Sequence, residues 1–109
     1  MYVILVSKPG KYHSEVGPEA KVIESYEYRF YGKIKAVYQL AQLDNETRVR
    51  ITEDDPPYIV NNVPSKFLEK FDTIEQARAE LEHLAAYGGQ DAALVRCDNE
   101  RATGIINHG

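Results

Sequence analysis

The stretch "ESYEYRFYGKIKAV", from Glu24 to Val37, alternates aromatic with charged residues and then turns at one glycine. Side chains two residues apart in a β-strand lie on the same face of a sheet. Tyr26, Tyr28 and Phe30 therefore share one face, and an apolar set after the glycine shares one face of the next strand. The pattern predicts a β-hairpin that turns at Gly32.

Two pairings of these strands differ by one residue in register. A two-residue turn at 31–32 would place aromatic side chains beside Lys33 and Lys35, which makes a poor core. A three-residue connection, with Phe30 opposite Ile34, aligns apolar residues with apolar residues. We therefore expect the longer connection and an aromatic face that packs on the core. An aromatic platform for a ligand is the alternative.

The other face of this hairpin collects two kinds of side chain. Its basic residues, joined by two from the next predicted strand, are Arg29, Lys33, Lys35, Arg48 and Arg50. Its apolar residues are Val37, Ala41 and Leu43. An uncovered apolar patch marks an interface, so we expect a homodimer at the apolar end and an acidic protein partner or an anion at the basic end. If the protein is a monomer, we expect the loop 10–20 or the tail after Cys97 to cover this apolar patch.

Shorter patterns place the other strands and loops. Apolar runs predict strands at 2–6, 22–31, 33–43, 47–52 and 92–97. Residues 10–20, 53–57 and 61–67 have the composition of loops and turns. The segment 65–71 fits both a strand and a helical turn, and we favour the strand.

The strongest local signal predicts an amphipathic helix over 74–87. Thr73 and Gln76 have the spacing of a capping box. The apolar residues that recur at the helical period are Ile74, Ala77, Leu81, Leu84 and Ala85. Gly88-Gly89 can end the helix in a left-handed cap. One helix between strands predicts a two-layer α+β sandwich, with a mainly antiparallel sheet of about five or six strands and the helix on one face.

Composition limits the class of protein. The chain has 109 residues, enough for one domain, which we place at 1–97 with a polar tail at 98–109. The single cysteine excludes an intramolecular disulfide and an iron–sulfur cluster held by one chain, and we expect no metal or cofactor. The apolar run 2–6 is too short for a signal peptide or a membrane span, so we expect a cytoplasmic protein. The net charge of −4 argues against general nucleic-acid binding.

No motif for a catalytic nucleophile, a phosphate loop or a dinucleotide site occurs in the sequence. The leading expectation is a non-catalytic accessory or interaction domain that self-associates. The alternative is a small-molecule-binding protein or small enzyme with a pocket between sheet and helix. The candidate binding residues of that alternative are His13, Tyr26, Tyr28 and Tyr38. A third hypothesis is weak nucleic-acid or anion binding through the basic residues above.

Overall fold

The computed structural model describes residues 1–99, which contain seven β-strands and one α-helix. The strands are β1 (Tyr2–Ser7), β2 (Tyr12–Val16), β3 (Ala20–Phe30), β4 (Lys33–Leu43), β5 (Arg48–Glu53), β6 (Val60–Pro64) and β7 (Ala92–Cys97). The helix is α1 (Ile74–Ala86), and short 3-10 turns lie at Ser65–Phe67 and Gly89–Asp91. The predicted α+β class with antiparallel strands is confirmed. The predicted tail lies outside the described residues from position 100 onward.

The strands form two sheets, and not one as predicted. The first sheet has the order β1-β4-β3-β7, and the second has the order β2-β5-β6. Helix α1 packs on one face of the first sheet, where Leu40, Ala77 and Leu81 are buried together. The second sheet packs on the opposite face, where Val49 joins a separate buried cluster with residues of β1 and β4. The predicted strand count was too low because β2 lies in the predicted loop 10–20 and β6 overlaps the predicted turn 61–67.

The β3–β4 hairpin turns in two residues, so the predicted three-residue connection was wrong. Tyr31 and Gly32 both have positive φ, 51° and 76°, and Phe30 pairs with Lys33. A β-bulge at Lys35 then shifts the register, and Tyr28 pairs with Ala36 as predicted. The expected pairing of apolar residues is therefore present, but an extra residue inside β4 produces it and not a longer turn.

The apolar residues expected at a dimer interface are buried inside the chain. The exposed fraction is 0% for Val37, 0% for Ala41 and 3% for Leu43. They lie on the face opposite α1, as predicted, but Ala41 and Leu43 pack against Val49 of the second sheet. Val16, at the end of β2, joins the same cluster, so the segment 10–20 supplies part of the cover. These residues cannot form an exposed interface.

The predicted basic face does not exist as one surface. Arg48 and Arg50 are exposed on β5, which pairs with β2 and β6 and not with β4. β1 occupies the edge of β4 that the prediction reserved for β5. Arg29 is held by Glu27, with a distance of 2.6 Å from Nη2 to Oε1. The basic residues are therefore divided between two sheets, and the nucleic-acid hypothesis loses the cluster on which it depended.

Helix α1 begins as its sequence predicts. The hydroxyl oxygen of Thr73 accepts a hydrogen bond from the Gln76 N–H at 3.1 Å. The Gln76 side chain reaches back to accept from the Asp72 N–H at 3.0 Å. The helix ends one residue earlier than predicted, and Gly89 takes a positive φ of 67°. The strand favoured at 65–71 was wrong: the segment begins with a 3-10 turn at Ser65–Phe67, is then mostly irregular, and Phe71 forms only an isolated bridge with Tyr2.

Candidate ligand-binding cleft

A cleft of about 540 Å³ opens between the first sheet and the C-terminal part of α1. This volume falls within the range of roughly 300–1,000 Å³ that is usual for small-molecule sites. The polar side chains that line it are Lys8, Lys11, Lys35, Tyr28 and Tyr38. Ala36 and Leu84 contribute apolar surface from the sheet and the helix. The cleft therefore joins cationic, aromatic and aliphatic groups from several elements.

Lys8 and Lys11 are positioned by the turn between β1 and β2. The Lys11 N–H donates to the Lys8 carbonyl at 2.9 Å, and Gly10 has a φ of +81°. Proline followed by a glycine with positive φ is typical of the centre of a type II turn. Lys8 and Tyr12 also exchange backbone hydrogen bonds at 2.9 and 3.0 Å. The two lysines are thus anchored at the backbone on a short, closed hairpin.

Lys35 enters the cleft because of the bulge in β4. It is the extra residue between the pairs Arg29–Ile34 and Tyr28–Ala36. A bulge re-aims a side chain relative to regular strand alternation. Regular alternation predicts Lys35 on the face that carries Arg29, whereas the structure brings it to the cleft beside Tyr28 and Tyr38. The placement of Lys35 in the basic face was therefore wrong.

Tyr28 and Tyr38 form an edge-to-face pair on neighbouring strands. Their ring centroids are 6.1 Å apart, and the ring planes meet at 83°. Burial, with smaller contributions from Tyr28 and Tyr12, raises the pKa of Tyr38 above its usual value. Its hydroxyl therefore keeps its proton throughout the physiological range and can donate a hydrogen bond to an acceptor in the cleft.

The charge of the cleft is opposite to the charge of the chain. The protein has a net charge of −4, but three lysines and no aspartate or glutamate line this cleft. Concave surfaces lined by one sign of charge concentrate their field and attract ligands of the opposite sign. The geometry favours an anion, and the tyrosine pair favours one that carries a flat apolar body.

Only two of the four candidate binding residues lie in the cleft. Tyr28 and Tyr38 line it, as the alternative hypothesis expected of a pocket between sheet and helix. The Tyr26 hydroxyl donates to Glu24 Oε1 at 2.7 Å, and its ring packs in the core under α1. His13 lies on the second sheet. Sequence reasoning missed Lys8 and Lys11, although the string Lys-Pro-Gly-Lys does predict a tight turn that displays both lysines.

His13 is held between two carboxylates. Its Nδ1 lies 2.9 Å from Asp54 Oδ1, and its Nε2 lies 3.0 Å from Glu15 Oε1. Both nitrogens are therefore occupied, which leaves neither for proton transfer to a ligand or for metal binding. Within residues 1–99 no group of three or more histidine, cysteine or acidic residues is arranged to hold a metal ion.

A second cavity, of about 370 Å³, lies between β1 and the second sheet. Val6, Val49, Ile51 and Leu68 contribute to its apolar lining. Ser14 also lines it, but the Ser14 hydroxyl already donates to the Val6 carbonyl at 2.5 Å. Small-molecule sites combine apolar surface with a few convergent polar groups. The basic cleft meets this description better than the second cavity.

Comparisons of the chain with protein-family models, with curated proteins and with solved structures found no match. In the described part of the chain, no helix is both long enough and apolar enough to cross a membrane.

Proposed function

We propose that this protein is a non-catalytic binding domain that holds a small organic anion in the cleft between its first sheet and α1. The single observation that carries the proposal is a lining with three lysines, a tyrosine pair and no carboxylate, in a protein of net negative charge. The ligand class is an aromatic or similarly flat molecule with a phosphate, sulfate or carboxylate group.

Each part of the lining has a physical role in this proposal. Lys8 and Lys11 supply two positive charges from one turn, and Lys35 supplies a third from the sheet. An ammonium group binds anions as a mobile point charge, so three of them accept anions of different geometry. The rings of Tyr28 and Tyr38 contact the flat part of the ligand, and the Tyr38 hydroxyl donates a hydrogen bond to it.

Support for a non-catalytic role comes from the chemistry of the lining. Proton transfer near neutral pH is most often carried by histidine or a carboxylate. Neither type is among the residues that line the described cleft. His13, the one histidine considered for this role, is bound to Asp54 and Glu15 on the other sheet. Binding without turnover is the simpler use of this site.

Three expectations from the sequence stay predictions. They are the homodimer, the acidic protein partner and the cytoplasmic location. The homodimer needs a surface other than Val37, Ala41 and Leu43, which the fold covers. An acidic peptide could meet the same lysines as a small anion, and binding assays with the two classes of ligand distinguish them.

Binding of three related probes tests the proposed function. Phenyl phosphate carries both the ring and the charge, inorganic phosphate carries only the charge, and benzyl alcohol carries only the ring. We expect saturable binding of phenyl phosphate, weaker binding of the other two, and amide NMR shifts centred on Lys8–Lys11 and on Tyr28 and Tyr38. Binding should weaken as salt concentration rises, because the lysines are exposed.

Charge reversal supplies the matched control. Lys11→Glu and Lys35→Glu should each weaken phenyl phosphate binding by about tenfold or more, which corresponds to about 1.4 kcal/mol. Lys33→Glu changes an exposed lysine on the same hairpin that does not line the cleft, so it should leave binding nearly unchanged. Equal losses in all three variants would show a general charge effect and contradict the site. Failure of phenyl phosphate to saturate would contradict the ligand class.

A further inference from the structure

Strand β7 is an edge of the first sheet, and within the described residues the outward backbone groups of Leu94 and Arg96 have no strand partner. Among the described strands it pairs only with β3. The Tyr31 N–H donates to the Asp91 carbonyl at 3.0 Å. This bond shows which residues of the strand direct their backbone N–H and C=O groups toward β3. Residues 93 and 95 therefore turn their backbone groups toward β3, while Leu94 and Arg96 turn theirs away. An open edge of this kind is a template for another strand.

Two of the three other sheet edges in the described chain, those of β1 and β6, carry features that limit pairing. The outer edge of β1 is bonded to Phe71 at one end, through Tyr2, and to Tyr12 at the other, through Lys8. The outer edge of β6 ends at Pro64, which has no N–H to donate. β7 has neither feature, and its sequence AALVRC contains a single charged residue. Val95 is 40% exposed, so an added strand would cover apolar surface here.

We propose that β7 of a second copy of this chain pairs antiparallel with β7 of the first, around a twofold axis at Leu94. This register places Leu94 opposite Leu94 of the second copy, so that the two residues exchange both of their outward backbone hydrogen bonds. It places Ala92 opposite the second copy's Arg96, and Ala93 opposite the second copy's Val95. A twofold contact of this kind uses the same surface on both chains and closes at two copies. The product is one sheet of eight strands that crosses the dimer.

The charge on β7 suits pairing with an identical strand. Arg96 is the charged residue of the strand, and its guanidinium lies 3.7 Å from the buried carboxylate of Glu24 in its own chain. The two arginines of the dimer stand four residues apart along the paired strands, roughly 13 Å at about 3.3 Å per residue. This spacing exceeds the screening length of about 8 Å at physiological salt. The second copy therefore brings no unfavourable charge contact.

The apolar side chains match on both faces of the proposed pairing. On the α1 side, half-buried Leu94 gains its symmetry mate as a neighbour. On the opposite side, exposed Val95 covers exposed Ala93 of the second copy. An extended segment of an unrelated protein could use the same backbone groups, but the self-complementary register favours a second copy of this chain.

Light scattering on a sizing column tests the proposal with the full chain. The wild-type protein should approach twice its monomer mass of 12.4 kDa as concentration rises to hundreds of micromolar. Val95→Lys places two lysines diagonally across the dimer, about 7–8 Å apart on one face, and should leave a folded monomer. Val95→Thr keeps the size and the strand preference of valine, so this control should still dimerise. A wild-type chain that stays monomeric, or a Val95→Lys variant that dimerises like the wild type, overturns the proposal.

Cross-linking tests the register itself. Ala93→Cys with Val95→Cys, in a Cys97→Ser background, places cysteines directly opposite each other across the twofold axis, with Cβ atoms about 4.5–5.5 Å apart. Oxidation should give a disulfide-linked dimer in high yield at low protein concentration. Only monomer after oxidation overturns the register. Val95→Lys should bind phenyl phosphate as the wild type does. The dimer proposal and the ligand-binding proposal can therefore fail independently of each other.

Discussion

Arg78 on α1 donates hydrogen bonds to both carboxylate oxygens of Glu24 on β3, with an Nε–Oε1 distance of 3.1 Å. The Glu24 side chain is 4% exposed, so a buried charge joins the helix to the sheet. The Tyr26 hydroxyl donates to the same carboxylate at 2.7 Å. A buried carboxylate is tolerated only when it is paired and hydrogen-bonded in this way.

This contact predicts a specific dependence of stability on pH. The hydrogen bonds from Arg78, and secondarily from Tyr26, lower the pKa of Glu24 from 4.5 to about 2, against the opposing effect of burial. Because the folded-state pKa is the lower one, the stabilisation is complete above about pH 4.5 and is lost as the pH falls through 2. Glu24→Gln should therefore lower the free energy of unfolding by about 1.5–3 kcal/mol at pH 7.

Denaturant unfolding at a series of pH values measures this effect. The difference between the wild type and Glu24→Gln should stay constant above pH 5 or so and shrink between about pH 4.5 and 2. Glu82→Gln, at an exposed position on the same helix, is the control and should change stability little at any pH. A difference from Glu24→Gln that does not change with pH would contradict the role of the Glu24 charge.

Val37→Asp should prevent folding and not merely dissociate a dimer. An exposed interface at this position would have made the variant a folded monomer. Val37 is fully buried, and an aspartate there has to lose its hydration without a designed partner. We expect the free energy of unfolding to fall by at least about 3 kcal/mol. A loss of this size removes a large part of the stability of a small domain. Circular dichroism during thermal unfolding checks this, with Lys33→Asp at the exposed hairpin tip as the control; a folded, stable Val37→Asp protein would refute the burial.

Gly88→Ala should disturb the cleft from outside its lining. A Cβ atom at Gly88 would overlap the Tyr28 hydroxyl and the Ala92 Cβ, and Ala92 belongs to a paired strand that cannot easily move. We expect a loss of about 1–3 kcal/mol of stability and a displaced Tyr28 ring. Phenyl phosphate binding should weaken as a result.

Gly17→Ala is the matched control for Gly88→Ala. Its new Cβ would meet only the end of the Glu19 side chain, at 3.1 Å, and that carboxylate can rotate away. Unfolding curves and phenyl phosphate titrations on both variants separate a steric effect at Tyr28 from a general effect of replacing glycine. Unchanged binding in Gly88→Ala would show that the Tyr28 ring does not position the ligand.

Local sequence patterns were enough to predict the helices and strands whose signals lie within the element itself. The bounds of β4 and β7 match the predicted strands 33–43 and 92–97, and α1 begins at the predicted cap on Thr73. Alternation along a strand, helical periodicity and capping all depend on residues that lie close together in the chain. Tyr28 and Tyr38 were recognised as candidates for the same reason, because their parity places both on the face beneath the helix.

The partner of each strand, by contrast, depends on contacts between distant residues. Local composition could not show that β1 occupies the edge of β4, and this pairing moves Arg48 and Arg50 into a second sheet. That sheet then covers Ala41 and Leu43, which the hairpin alone leaves open to water. One bulged residue, Lys35, completes the cleft with Lys8 and Lys11 from a turn far away in sequence. The sequence by itself determined the elements and their apolar faces, whereas only tertiary packing decided which faces are buried and which lysines meet, because burial is a property of the whole chain.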